Sequence, residues 1–456
     1  MIVMKFGGSS LGSAAKILHC ADLVAAAAHR RPVVVVSACG KTTNGLDELA
    51  QSAVLGDAST DIVVQFHRDL AAELEVETEQ VDPLLDELAA LIRGVHLLGE
   101  LTERTRDRIL SFGERMSARL FSATLTRKGI PAQACDAFDL GLRTDGQHGN
   151  ASPLAGIEED IKEALSSDKF LPVVTGFLGR SPEGHITTLG RSGSDYSASI
   201  VGAAIDAEEV QIWTDVDGVM TCDPSVDRRA QSLPVLSFEE ASELAYYGAE
   251  VLHPSTIVPA VRKGIPVWVK NTAKPEELGT CIDGAARVTN RIAKSVVYKE
   301  DVCLITISTT RLMSAVRVLS SAFTFLDAQG IGIHLATTSE ATVSMVTDRP
   351  YDQKQLDAAR EALSALGDVV IEQERAVVCV VGEELRGQVG VLGRIFDAIA
   401  ERGIKARMVS QSASEINVAL LVGNDQVEKA VIALHDLLLA GADQQSEADA
   451  EMPIRR

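Results

Sequence analysis

Aromatic residues are scarce in this chain, with 2 Trp, 5 Tyr and 11 Phe among 456 residues. Its cores must therefore be built from Val, Ile, Leu and Ala. Basic charge is short as well: 43 Lys plus Arg stand against 64 Asp plus Glu, a net charge of −21. Nucleic acid needs a basic face to neutralise phosphates, and with no Lys/Arg stripe that partner is disfavoured. Any anionic ligand must be held by a few local cations and backbone N–H groups rather than by the global field. The 7 cysteines, at 20, 39, 135, 222, 281, 303 and 379, are odd in number and form neither a CxxC nor a Cys/His cluster. That speaks against a disulfide framework or a structural zinc, and for reduced cytoplasmic thiols packed as small hydrophobes. Long apolar runs are missing too. The VVVV stretch at 33–36 falls far short of the roughly 20 residues of a membrane span. Lys5 and Gly7-Gly8 occupy the place of a signal peptide's apolar stretch, so the expectation is a cytoplasmic chain that meets no membrane.

What is present is an ordinary globular composition, 46% hydrophobic and 23% charged, long enough for two to four domains at about 100–200 residues each. Up to about residue 290, short β-branched runs alternate with helical patterns. Segments 1–6, 33–37, 131–135, 171–175, 210–214 and 266–270 read as strands, and 13–29, 44–55, 194–205 and 238–246 as helices. Such alternation implies a mostly parallel sheet covered by helices on both faces. An insertion at 58–128 carries only helical patterns. Beyond Gly284 two segments repeat a β-α-β-β-α pattern, with matching Gly-Ile steps at Gly330-Ile331 and Gly403-Ile404. These read as two small α+β modules, at 301–375 and 376–440, of a size that usually pairs. The polar stretch 441–456 reads as a disordered tail.

Several turns carry residues suited to chemistry. KFGGSS (5–10) ends the opening strand. Two glycines let backbone approach an anion, the helix start that follows offers N–H groups, and Lys5 adds a point charge. A plain Gly-rich turn remains the alternative. SACGKTTN (37–44) contains GKT, but a Walker A motif needs a glycine where Val35 stands. It is instead a hydroxyl- and amide-rich strand end suited to a small polar substrate, and no GxGxxG argues for a dinucleotide fold. In TTLGRSGSDYSA (187–198), Ser194 and Asp195 fall in a first helical turn, where capping alone would explain them. Arg191 has no carboxylate nearby in sequence, and its fork matches a carboxylate or phosphate. WTDVDGV (213–219) lacks the first ligand and the closing Glu of a calcium loop, leaving a Mg²⁺–nucleotide role or a plain turn. Glu114, in SFGE (111–114), taken alone reads first as a solvated helical charge.

Together KFGGSS, SACGKTTN, SFGE, GFLGR (176–180), TTLGRSGSDYSA, WTDVDGV, LHPSTI (252–257) and the C-terminal repeat resemble the aspartate kinases of the amino-acid kinase family. The resemblance covers nearly the whole chain. It implies an α/β amino-acid kinase fold, a mostly parallel sheet sandwiched by helices over 1–290, followed by two ferredoxin-like ACT modules. The implied reaction is ATP- and Mg²⁺-dependent phosphorylation of the L-aspartate side-chain carboxylate to 4-phospho-L-aspartate, opening the route to lysine, threonine and methionine. The length suits a monofunctional enzyme without a fused homoserine dehydrogenase, working as a homodimer or higher homo-oligomer.

The resemblance assigns roles residue by residue. Lys5 and Asp195 are catalytic, and Ser37, Thr43, Glu114, Arg191 and Ser194 bind aspartate. Lys5, Gly7, Gly8, Ser9, Thr214, Asp215, Met220, Asp223 and Ser225 line the nucleotide, and no protein metal ligand is assigned beyond Mg²⁺ carried with ATP. Leu319, Thr338, Ser339 and Glu340 match an effector segment. Met220 and Ser225 replace a family tyrosine and arginine, Arg228 or Arg229 being candidate substitutes for the lost cation. Glu250 stands where many relatives carry lysine. Arg317 replaces a usual glycine and His334 an aspartate of lysine-sensitive relatives, so lysine inhibition is expected to be weak, altered or absent. The alternatives are a kinase of another small amino acid and a catalytically impaired ACT-bearing amino-acid sensor.

Overall fold

The computed structural model describes residues 1–167, 169–249, 253–284, 291–309 and 315–440. Glu250 and the 441–456 tail therefore lie outside the described residues. The chain divides into two compact units: Met1–Val219, Ser232–Ala241 and Glu250–Ala285 form the first, and Met220–Gln231, Ser242–Ala249 and Ala286–Arg456 the second.

The first unit is built on strands β1 (Ile2–Phe6), β2 (Pro32–Val36), β3 (Ala132–Cys135), β4 (Leu171–Thr175), β5 (Leu178–Arg180), β6 (Ile186–Thr188), β7 (Val210–Thr214), β8 (Val235–Ser237), β9 (Val267–Asn271) and β10 (Thr280–Asp283). Its main sheet runs β3-β4-β2-β1-β7-β9-β10-β8, and β5-β6 form a separate hairpin. From β3 to β9 every pairing is parallel. The all-buried IVMKF and PVVVV segments are what a sheet covered on both faces demands. The covering helices are α1 (Ala14–Ala26), α2 (Thr42–Val54), α3 (Asp61–Glu73), α4 (Asp82–Leu98), α5 (Glu103–Leu110), α6 (Phe112–Arg127), α7 (Ile157–Ala164), α8 (Gly193–Ala204), α9 (Phe238–Tyr246) and α10 (Pro254–Arg262). The expected helical insertion is thus α3 to α6. Ser13 and Thr102 cap α1 and α5 by accepting from Lys16 N and Thr105 N. α8 is made of small residues because it lies hard on the sheet: a Cβ at Gly202 would stand 2.5 Å from Val210 Cγ2. Phe6 anchors the core between the rings of Phe121 and Trp213, at 5.7 and 6.3 Å.

The second unit holds β11 (Ser295–Ser308), α11 (Ala315–Ala328), β12 (Ile333–Thr338), β13 (Thr342–Thr347), α12 (Gln353–Leu363), β14 (Asp368–Val381), α13 (Val391–Glu401), β15 (Met408–Ser410), β16 (Asn417–Gly423) and α14 (Val427–Ala440). They make one antiparallel sheet, β12-β13-β11-β14-β16-β15. The runs DVVIEQE and VVCVVGE, read as separate strands of two modules, are one 14-residue strand, β14. Its partner β11 is equally long, and residues 295–299 pair with 377–381 while 302–308 pair with 368–375. The second module therefore takes a strand that precedes the first. The expected limits at 301 and 375 fall beside left-handed residues, Asp301 (φ 59°) and Glu374 (φ 54°), where the register shifts. A polar run marks each kink, 299–301 in β11 and 372–375 in β14, and in sequence such a run reads as a break between two strands and not as one bent strand. Residues 220–231, expected in the kinase region, belong to this unit because Cys222, Val226 and Ala230 pack with Ile292, Val296 and Leu434.

Candidate active site

Parallel strands bring their carboxyl ends to one edge, and most of the expected site residues sit there. Phe6 pairs in register with Val36 and Trp213, Val36 with Thr175, and Thr214 with Asn271. The turns after these strands are therefore neighbours. Ser37 N donates to Phe6 O at 3.1 Å, Gly40 N to Gly8 O at 3.0 Å, and Gly176 N to Val36 O at 2.9 Å. A Cβ on Gly8 would lie 2.8 Å from Gly40 O, so only glycine lets these two loops meet.

Lys5 is buried near the end of β1, with Nζ 2.6 Å from Asp195 Oδ1 in the first turn of α8. The two side chains are 9% and 12% exposed, enough screening from water to make the charges count. Contrary to expectation, the Gly7 N–H donates to Trp213 O at 3.2 Å and is not available to a phosphate. Nor does an α-helix follow directly: a 3₁₀ turn, Gly8–Leu11, comes first and α1 starts only at Ala14. The open N–H groups at its start are those of Gly8 and Ser9.

Glu114 is not a solvated helical charge. It is 3% exposed in the first turn of α6, and its Oε1 accepts from Ala38 N at 3.0 Å. Burial pushes its carboxyl up to about 8, against the pull of the Ala38 N–H and the Lys5 charge. Oε2 is buried with no hydrogen-bond partner, an acceptor position waiting for a donor. Room for this helix start exists because residue 113 is glycine, where a Cβ would stand 2.7 Å from Ala38 Cβ. Ser194 is buried against Gly176, whose Cβ would fall 2.6 Å from that of Ser194. Phe177 and Ser192 hold left-handed φ of 67° and 52°, and the Phe177 N–H is fixed by Ser197 Oγ at 2.9 Å. Strain in non-glycine residues clusters where function needs a set geometry. Arg191 is exposed just before α8 and has no carboxylate within ion-pair distance among the described residues. Thr43 lies in the first turn of α2, half-buried.

Thr214 ends β7, and its carbonyl takes both the N–H and Oγ1 of Thr272 at 2.8 Å. Asp215 beside it is exposed and accepts from Thr214 Oγ1 at 3.2 Å. Asp217 is paired with Lys274 at 2.6 Å and with Asn271 Nδ2, so the Asp-x-Asp-Gly fragment is a fixed turn. Met220, Asp223 and Ser225 belong to the second unit. Asp223 accepts from Ser225 N and Oγ at 2.8 and 2.6 Å and from Tyr298 Oη at 3.0 Å, and these bonds lower its pKa despite burial. Arg229 is likewise spent: it forks onto Asp227 and reaches Asp436 at 2.7 Å, which removes it as a replacement cation. Arg228 is exposed.

In the effector segment, Leu319 is half-buried on α11 while Arg317, Thr338, Ser339 and Glu340 are exposed. Ser339 Oγ is held 2.6 Å from Thr342 Oγ1. His334 is buried, stacked on Tyr246 at 4.0 Å and edge-on to Tyr247 at 4.9 Å. Burial pulls its pKa down to about 4, so at neutral pH it brings no charge.

Sequence reasoning missed Asp107. It is 1% exposed and gathers Thr188 Oγ1 (2.6 Å), His148 Nδ1 (2.7 Å) and Gly149 N (3.1 Å). That network ties α5 to β6, the strand leading into the Arg191 loop. Set between Arg106 and Arg108, Asp107 looks like one more surface charge, and only its burial tells it apart.

A model of the amino acid kinase family matches residues 1–271 and an ACT domain model matches 378–438. Aspartokinase 1, chloroplastic, from Arabidopsis thaliana is 37% identical over 97% of this chain and 80% of its own. Lysine-sensitive aspartokinase 3 from Escherichia coli is 31% identical over 96% of this chain and 99% of its own. The crystal structure of E. coli aspartokinase III with aspartate and ADP superposes with a TM-score of 0.77 at 28% identity, over 96% of this chain and 100% of that one. The Clostridium acetobutylicum aspartate kinase gives 0.82 at 26% identity over the same shares.

Proposed function

The chain belongs to the amino acid kinase family, and from that premise we propose how the strand-end site performs its reaction. The activity is that of an aspartate kinase: a phosphoryl group passes from ATP to the side-chain carboxylate of L-aspartate. A carboxylate is already ionised at neutral pH, so no general base is needed. The difficulty is electrostatic, because one anion must attack another, and catalysis rests on positioning and charge neutralisation.

The observation that carries the residue roles is the buried Lys5–Asp195 pair at 2.6 Å, beside the buried Glu114. Lys5 Nζ and the N–H groups of Gly8 and Ser9 neutralise the transferring phosphoryl group. Asp195 holds Lys5 in place and is the carboxylate best suited to help hold Mg²⁺, an ion that takes one or two carboxylates plus phosphate oxygens. When bound, Mg²⁺ supplies further charge neutralisation to the phosphates. Arg191 clasps a carboxylate of aspartate, and Glu114 Oε2 accepts from its ammonium. Ser37, Thr43 and Ser194 donate to substrate oxygens, while Thr214 and Asp215 face the nucleotide. As the aspartate oxygen bonds to the γ-phosphorus, the bond to the bridging oxygen breaks and ADP leaves with that electron pair. No proton moves.

The seven cysteines are all free thiols, which suits a reducing compartment such as the cytoplasm. No described helix is long and apolar enough to cross a membrane. Val316 and Phe323, 75% and 42% exposed on α11, are apolar surface for a second copy, and a chain that light scattering finds monomeric at micromolar concentration would contradict that pairing. The site assignment is tested by trapping the acyl phosphate with hydroxylamine in the presence of ATP and Mg²⁺. Hydroxamate should form with L-aspartate, fall away with glutamate, and vanish in Lys5→Met. Equal yields from both acids would point to another substrate, and no yield from any acid to a sensor.

A further inference from the structure

A cavity of about 570 Å³ opens in the first unit between α4, α5, the start of α6, the turn after β3 and the β5-β6 hairpin. No residue of the strand-end site lines it. Its walls carry four arginines, 104, 108, 115 and 180, with His185, against the carboxylates of Glu87, Asp136 and Asp139. The bonding capacity left over is one-sided. Glu87 is taken by Arg108 at 2.8 Å, Asp139 by Arg180 at 2.8 Å, and Asp136 by both nitrogens of Arg119 at 3.0 and 3.1 Å. The guanidinium groups are not used up. Arg115 reaches only 3.7 Å from Asp136 and from Glu87, beyond hydrogen-bond distance. Its Nε and that of Arg180 are buried without partners, and burial lowers the Arg115 pKa. Arg104 meets only His185, at 3.4 Å, and no carboxylate among the described residues.

Buried donors without acceptors are costly, and a guanidinium fork matches carboxylate or phosphate oxygens. We propose that this cavity binds a small organic oxyanion of two or more negative charges, a phosphate ester or a polycarboxylate, apart from the catalytic site. In a chain of net charge −21 the global field repels such a ligand, so a local excess of donors has to be built to hold one. The volume lies within the range of small-molecule pockets and exceeds what a lone phosphate fills. Leu91, Phe138 and Ile186 line the remaining wall, and Arg180 covers one face of the Phe138 ring at 4.7 Å, which calls for a compact apolar body on the ligand.

The test is calorimetric titration of the full chain with citrate and with glucose 6-phosphate at constant ionic strength. Saturable binding in the range of about 10 µM to 1 mM is expected for at least one, and the stronger of the two identifies the source of the oxyanion. Arg104→Ala, at an exposed position that should not disturb folding, weakens it about tenfold or more. Arg115→Gln does so further if it folds. Lys5→Met leaves it unchanged. Binding lost in Lys5→Met but kept in Arg104→Ala would place the anion at the strand edge and overturn the proposal, as would no binding of either probe below about 10 mM.

Discussion

At the carboxyl edge of the parallel sheet, Glu114 keeps a buried oxygen without a partner and Arg191 stands without a carboxylate among the described residues. In the second unit several charges are paired within the protein, although Arg375 Nε and His334 Nε2 stay buried without a partner. Arg229 is divided between Asp227 and Asp436, Asp227 also takes buried His435 at 2.8 Å, and Glu372 is shared by Arg375 and Arg407 at 2.8 and 2.6 Å. His334 is uncharged at neutral pH and enclosed by Tyr246 and Tyr247. Groups left unsatisfied in a folded protein are destabilising unless a ligand completes them. The contrast is between a strand edge that keeps an acidic acceptor open and a region whose Arg229, Asp227 and Glu372 are already paired.

The sharpest way to break that contrast is to remove Lys5. Lys5→Met should lower kcat by about 10²–10³, the range for loss of one preorganised electrostatic group, with the circular dichroism spectrum intact. A loss below about threefold in steady-state turnover would show that the buried pair is structural only. Next in size, Arg191→Ala should raise the aspartate KM about 10–100-fold and the ATP KM by no more than about twofold, since its fork addresses a carboxylate. Equal rises would remove it from the aspartate site.

Smaller again is a pH effect. With its carboxyl near 8, Glu114 is largely protonated at pH 7 and must ionise to receive an ammonium, so kcat/KM for aspartate should rise about tenfold from pH 7 to 9. Glu114→Gln should flatten that rise. The folded state also holds a proton that the unfolded chain has released above about 4.5, so this group's stabilisation is full below that pH and is lost as pH rises through about 8. Urea midpoints at pH 6 and 9 should therefore fall less in Glu114→Gln than in the parent. The smallest effect lies in the second unit. Lysine should not half-inhibit at tens of micromolar, about −6 kcal/mol of binding, because Arg317 adds like charge and His334 supplies none. Inhibition at that concentration in the steady-state assay would reverse this view of the module.

Most of the strand-end site was legible because it is local. Strand, glycine turn and helix start follow one another in KFGGSS, SACGKTTN and TTLGRSGSDYSA, and parallel strands collect such turns at one edge whatever the details. Glu114 and Asp107 were illegible or ambiguous for the opposite reason: both sit in charged helical stretches, and burial is a property of what packs against a helix. The Gly7 N–H was misassigned because its acceptor, Trp213 O, lies on another strand. Arg229, one of two candidate replacement cations, is held both by Asp227 two residues away and by Asp436, 207 residues away, and only the second partner is hidden from the local sequence.

The amino-acid order by itself determined the alternation of strands and helices, the glycine turns, the helical insertion and the repeat near the C-terminus, because each is assembled from elements whose periodicity is local. Only the tertiary structure decided that two repeats share the long strands β11 and β14, that residues 220–231 join the second unit, and which charges are paired. Those outcomes depend on contacts between segments far apart in the chain, where the energy of desolvating a charge is set by whatever neighbour the fold supplies.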